Sequence, residues 1–118
     1  MKRLGKNTLR IVEIAQGKFF QFGFSRVTME EIAEDAGVSK KTLYEQFASK
    51  ELLLKAVLDQ LAREVEAEAR KIILEQKLDF ADKVKALLTL LGLRLSRIGR
   101  PFMEDLRKYA PERWKEIE

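Results

Sequence analysis

At 118 residues, with 46% hydrophobic and 36% charged positions, the chain suits one globular domain with its own core and not a disordered one. It holds neither cysteine nor histidine, which removes a disulfide framework and the common acid–base and nucleophile pairs. A net charge of +4 admits an acidic partner, and the surplus sits mainly in residues 1–50, where 9 Lys/Arg stand against 6 Asp/Glu.

The start, MKRLGKNTLRIVEIA, lacks the long apolar core of a signal peptide. The most apolar later run, Ala86 to Leu95, is about half the roughly 20 residues needed to span a bilayer, and it carries Arg94. A cytoplasmic location is expected. There is no glycine-rich phosphate loop, metal-ligand spacing or internal repeat. The many carboxylates fall in the salt-bridge patterns of wet helix faces, so neither an enzyme nor a cofactor or metal is expected.

In chain order, Lys2, Arg3 and Lys6 make a short basic arm, which reads either as a frayed terminus or as a segment that follows a phosphate backbone. Asn7 is the expected cap of a first helix to about Phe22, with Leu9, Val12, Ala15, Phe19 and Phe22 as its apolar face and Phe20 and Phe24 as extensions of the core. Gly17 falls inside that helix, where it costs about 1 kcal/mol against Ala. Gly23 ends it.

The next stretch, TMEEIAEDAGVSKKTLYEQF (28–47), is dense in local signals. Thr28 and Glu31 form a capping box, and Val27 and Ile32 have the spacing of a hydrophobic staple. Gly37 supplies the positive φ that a helix end favours. Ser39 caps a second helix, whose Val38 and Leu43 repeat the staple spacing. Helix, glycine turn and capped helix make a helix-turn-helix, whose second helix characteristically lies in the DNA major groove.

On a wheel of about 100° per residue, Leu43 and Phe47 share an inward face and Lys41, Thr42 and Glu45 fall opposite, with Tyr44 and Gln46 on the flanks and Lys40 in the first turn. Lys can donate to guanine, Glu can accept from cytosine and Thr can touch a thymine methyl. Taken alone, those polar residues would suit any solvated helix face; the caps, staples and turn favour DNA.

Ser49 caps a long helix expected to reach Gln76, with Glu51 in its first turn and apolar steps at Leu54, Leu58, Leu61, Val65, Ala69 and Ile72. Its start directs Lys50 toward the DNA side, because helix starts attract phosphate. Asp79 caps a further helix, Phe80 to about Ile98, striped by Phe80, Val84, Leu87, Leu91, Leu95 and Ile98. Leu88, Leu90 and Leu93 widen that stripe beyond what one neighbour could cover, so the helix is expected to be buried on several sides or to face a pocket or a missing partner, and a truncated chain to show an exposed apolar patch. Gly99 breaks this helix, Pro101 opens a short one to Tyr109, and Pro111 starts a last segment, PERWKEIE, with no stop signal. A chain cut in mid-helix is the expectation.

Residues 8–58 resemble the DNA-binding end of the TetR family of bacterial transcriptional regulators. The resemblance rests on Gly23-Phe24, T-M-E-E-I-A, A-G-V-S-K-K-T-L-Y and F-A-S-K-E-L-L, an ordered signature over a little under half the chain. Three positions depart from the pattern: Gly17 falls in mid-helix, Lys18 stands where an apolar residue is usual, and Gln46 where an aromatic or His often precedes the Phe.

The resemblance implies an all-α protein: a helix-turn-helix unit over residues 1–48 and the start of a helical regulatory body over 49–118, joined by the long helix as a lever. It implies that Thr28, Ser39, Tyr44 and Lys50 hold phosphates of double-stranded DNA while Lys40, Lys41, Thr42 and Glu45 face bases. It further implies a palindromic operator, repression relieved by a small-molecule effector, and a homodimer whose interface lies beyond this chain. The alternative drawn from the residues is a helical protein-interaction module that uses the wide stripe of Phe80 to Ile98.

Overall fold

The computed structural model describes the backbone of residues 5–117 and the side chains of residues 5–108, so most of the basic arm lies outside the described residues. Within this range the chain is all-α, with six helices and no strand: α1 (Lys6–Phe22), α2 (Met29–Ala36), α3 (Lys40–Gln46), α4 (Lys50–Leu74), α5 (Phe80–Ser96) and α6 (Arg100–Ile117).

Helix α1 is the element on which α2, α4 and α6 all pack. Its cap is Gly5, in extended conformation, and not Asn7, which lies one residue inside the helix. Glycine tolerates that position, although it brings no side-chain acceptor. Leu9 is only half-buried and Phe22 is exposed, while Ile11 and Phe20 join Val12, Ala15 and Phe19 in the core. A helix with neighbours on several sides buries a wider strip than the single expected face. Phe24 packs edge-on against Phe19, with ring centroids 5.2 Å apart.

A Cβ on Gly17 would meet nothing within 4 Å. Gly17→Ala is therefore expected to raise stability by about 0.5–1 kcal/mol, read as a higher midpoint in chemical denaturation. The unusual Lys18 reaches α2, with Nζ 2.6 Å from Asp35 and 3.9 Å from Glu31. Its hydrogen bond to Asp35 holds its pKa above the ordinary lysine value.

One buried cluster runs from Ile11 to Phe102. It joins α1 to Val27, Ile32 and Ala36, to Leu43 and Phe47, to Leu53 and Val57, and to Phe102 of α6. It thus draws residues from both sides of residue 48.

Ser49 caps α4 by accepting from the Leu52 amide, but the helix ends at Leu74, two residues short of expectation. The expected Leu54 and Leu61 are half-buried against the core and Leu58 is exposed, but the fully buried positions are Leu53 and Val57. The first half of α4 offers apolar residues on both lines, and packing on α1 selects this one. Glu66 and Arg70 pair at 3.1 Å, as their spacing requires.

Asp79 caps α5 through the Asp82 amide at 2.8 Å. The helix stops at Ser96, and its buried leucine is Leu90, outside the expected stripe. Phe80, Leu91 and Leu95 of that stripe are exposed, with Leu88 and Leu93 beside them. Helix α4, the main neighbour of α5, can cover one side only of a helix with leucines all round, so the expected apolar patch is present. Among the described residues no helix is long and apolar enough to cross a membrane. Arg94, largely buried, ties α5 to α4 by bonding Glu64 at 3.0 Å and also Glu68.

The α5–α6 corner interlocks with the end of α1. The Gly99 amide donates to the Phe20 carbonyl at 2.7 Å. Phe102 stacks edge-on against Phe20 at 5.0 Å, and Asp105 accepts from both the amide and the hydroxyl of Ser25. Helix α6 then continues through Pro111, so the two short segments expected on either side of that residue are one helix. A proline inside a helix removes one backbone bond and bends the path without necessarily ending it.

Candidate nucleic-acid interface

Helix α2 begins where the Thr28 hydroxyl accepts from the Glu31 amide at 3.2 Å. The same hydroxyl donates to the Glu31 carboxylate at 3.3 Å, a side-chain contact and not the backbone return bond of a full capping box. Val27 and Ile32 are both buried, as a staple requires. At the other end Gly37 has φ of 70°, its amide bonds Glu34 O, and the Val38 amide bonds Ala33 O. This pair of bonds is the Schellman arrangement, and it fixes the direction in which the chain leaves α2. Ser39 then caps α3 by accepting from the Thr42 amide at 3.1 Å.

Helix α3 is held by its inner seam, with Leu43 fully buried and Phe47 nearly so. Opposite that seam Lys41 and Glu45 are exposed, and Tyr44 is exposed on the flank. Thr42 is half-buried, and its hydroxyl oxygen accepts from Ser39 Oγ at 2.9 Å. Lys41, Thr42, Tyr44 and Glu45 thus share the outward side of one short helix.

Three of the expected site residues have internal partners that no local pattern announces. Lys40 pairs with Glu30 of α2, Nζ to Oε1 at 2.9 Å. The hydrogen bond between them raises the lysine pKa and lowers that of the glutamate. Gln46 accepts from the Thr8 hydroxyl, tying the end of α3 to the start of α1. Lys50 lies with its ammonium 4.4 Å from the Phe24 ring centroid and makes a long 3.5 Å contact to Ser25 O. Partial burial pushes its pKa down, because a less solvated ammonium loses its proton more easily. Glu30, Thr8 and Phe24 could have been suspected from charge or size, but the contacts are long-range and only the fold brings them together. Among the described residues no cluster of His, Cys, Asp or Glu could hold a metal ion.

The sequence profile of "Bacterial regulatory proteins, tetR family" matches residues 11–57, the stretch that contains this site. A relative from Bacillus subtilis, "Uncharacterized HTH-type transcriptional regulator YvaF", is 32% identical over 113 residues, which is 96% of this chain. The chain belongs to the TetR family. Two further relatives of this TetR-family chain match over shorter stretches. The Escherichia coli "HTH-type transcriptional regulator RutR" is 51% identical over 51 residues, or 43% of the chain. The "A-factor receptor protein" of Streptomyces griseus is 36% identical over 69 residues, or 58% of the chain. The chain spans 55%, 24% and 25% of these three relatives' own lengths. The matched family and these HTH-type relatives are regulators and not enzymes.

Proposed function

We propose that this chain binds double-stranded DNA in a sequence-specific way through α3 and regulates transcription. The observation that carries the reading is the capped pair α2–α3: a Schellman turn sets its angle, a buried Leu43–Phe47 seam anchors it, and Lys41, Thr42 and Glu45 lie outward. Such a surface fits the major groove in size and in donor and acceptor content. Lys40, Lys41, Thr42 and Glu45 face bases in this reading, and Thr28, Ser39, Tyr44 and Lys50 hold phosphates. Gln46 serves first to brace α3 against α1.

The wider role follows the family. Residues 1–48 form the DNA-binding unit and 49–118 belong to a regulatory body. The protein acts in the cytoplasm as a homodimer on a palindromic operator, as a repressor released by a small molecule. Two connections reach the DNA-binding unit from the body. One is α4, which begins at Lys50; the other is the contact of α6 with Phe20 and Ser25.

Selection of bound sequences from a random DNA pool tests the reading. Lys41→Ala and Glu45→Ala are expected to relax preference at particular base pairs, by about 1–3 kcal/mol at a good contact. Tyr44→Phe should weaken binding to every sequence about equally, because phosphate contacts position the protein without reading bases. An unchanged preference in the first two variants would remove them from the reading face.

The exposed leucines of α5 favour a second reading, a protein-interaction module whose helix-turn-helix serves only packing. Salt separates the two: binding to DNA should weaken steeply with salt, at about 0.9 log units per log unit for each phosphate neutralised.

A further inference from the structure

We infer that Glu30 restrains the reading face: by holding the Lys40 ammonium in an ion pair it lowers affinity for arbitrary DNA and thereby sharpens discrimination. The inference rests on the DNA-binding reading and adds to it a specificity-determining residue that contacts no base favourably itself.

The pair joins two different helices. Glu30 lies in the first turn of α2 and Lys40 is the first residue of α3, so the helix-turn-helix geometry sets their 2.9 Å separation. Both side chains are more than half exposed, at 55% and 60%. An ion pair this exposed contributes little to stability, because water and salt screen it. It is therefore easily exchanged, and a phosphate or a guanine edge can take Lys40 from the carboxylate.

The exchange has a consequence for binding. Around α3, Lys50 is partly buried over Phe24, Arg10 reaches the turn at Gly37, and Lys41 has no ion-pair partner among the described residues. With Lys40 countered by Glu30, the surface offered to a duplex is less positive than its lysines suggest. When DNA takes Lys40, the ion pair with Glu30 must be given up, and that loss opposes binding. A site that gives Lys40 two good acceptors offsets this penalty, and an arbitrary sequence does not. An interaction that penalises the wrong partner more than the right one raises specificity at some expense of affinity.

The plainer role for Glu30 is a negative charge at a helix start, which the helix dipole favours. Two measurements on the full chain distinguish the roles. Wild type, Glu30→Gln, Lys40→Gln and the double variant are titrated with a mixed-sequence duplex and with a site taken from the selection, each across a series of salt concentrations. Thermal unfolding is recorded in parallel. Glu30→Gln is expected to bind the mixed-sequence duplex roughly three- to tenfold more tightly, with a salt slope steeper by about one unit. The gain at the selected site should be smaller, so the ratio of the two affinities falls. In the Lys40→Gln background the same change should alter binding less than about twofold.

An equal gain in both backgrounds would show that the carboxylate repels phosphate without acting through Lys40, and would overturn the inference. So would unchanged or weaker binding of Glu30→Gln with a lowered unfolding temperature, which is the signature of a helix-start role. If wild type binds no duplex in a salt-dependent way, the DNA-binding reading itself fails. If wild type binds and Glu30→Gln matches it, only the present inference fails.

Discussion

Gly99→Ala is expected to destabilise the protein by about 1–3 kcal/mol, the cost of forcing a group into a packed site. An ideal Cβ at this position would lie 2.5 Å from the Phe20 carbonyl oxygen and 3.2 Å from that of Gln21. Both are backbone atoms at the end of α1, and they cannot swing aside as a side chain would. The corner would have to withdraw, and the 2.7 Å bond from the Gly99 amide to Phe20 O would lengthen with it. Gly92→Ala is the control, because a Cβ there meets nothing within 4 Å and the residue lies inside α5. Thermal unfolding should show a fall of several degrees for the first variant, at roughly 4–8 °C per kcal/mol for a somewhat smaller domain, and no fall for the second. Equal unfolding temperatures would mean that the corner rests on α1 loosely.

The same interlock shows which parts of the fold were legible in the sequence. Caps are local, so Thr28, Ser39, Ser49 and Asp79 could each be placed from a residue and its next few neighbours, and each accepts the amide expected of it. Gly23 and Gly37, with φ of 93° and 70°, were legible for the same reason. Which line of a helix is buried is not local. On α4 both Leu54–Leu58 and Leu53–Val57 are apolar, and only the position of α1 decides for the second. On α5 the expected line from Phe80 to Ile98 is not the buried one: leucines point in most directions, and the one principal neighbour, α4, covers the side of Leu90 instead. Pro111 is expected to start a segment because proline suits a first helical turn, yet α6 carries it inside, at the cost of one backbone bond and crowding against the carbonyl four residues earlier.

The candidate site divides in the same way. The outward set of Lys41, Thr42 and Glu45 follows from the wheel once Leu43 is fixed inward. The side-chain partners of Lys40, Gln46 and Lys50 come from α2, from α1 and from the loop after α1, respectively. Charge counting would overstate the positive field of the reading face, because it cannot know that Glu30 sits against Lys40. Lys18, which departs from the apolar pattern of the family, is explained only by the fold: Asp35 and Glu31 of α2 receive its ammonium.

Phe102→Ala should produce the largest loss of stability among the changes considered, about 3–5 kcal/mol, the usual range for removing a buried phenyl ring. Phe102 is 2% exposed and is the α6 member of a core otherwise built from α1 to α4 and the loops between them. Its ring meets Phe20 edge-on, with centroids 5.0 Å apart and planes at 63°, a geometry favoured beyond the area it buries. Removing the ring leaves a cavity between α6 and α1 that the corner cannot close, because Gly99 already touches backbone. Such a loss is a large fraction of the roughly 5–15 kcal/mol that keeps a domain folded. Leu88→Ala, on the exposed side of α5, should by contrast change stability little. Phe102→Leu should recover much of the loss, since it refills most of the volume without the aromatic contact. Denaturant titration of the three variants measures all of this. A cost below about 1 kcal/mol for Phe102→Ala would mean that α6 is held chiefly by the two bonds between Asp105 and Ser25, and Asp105→Ala would then be the variant that releases it.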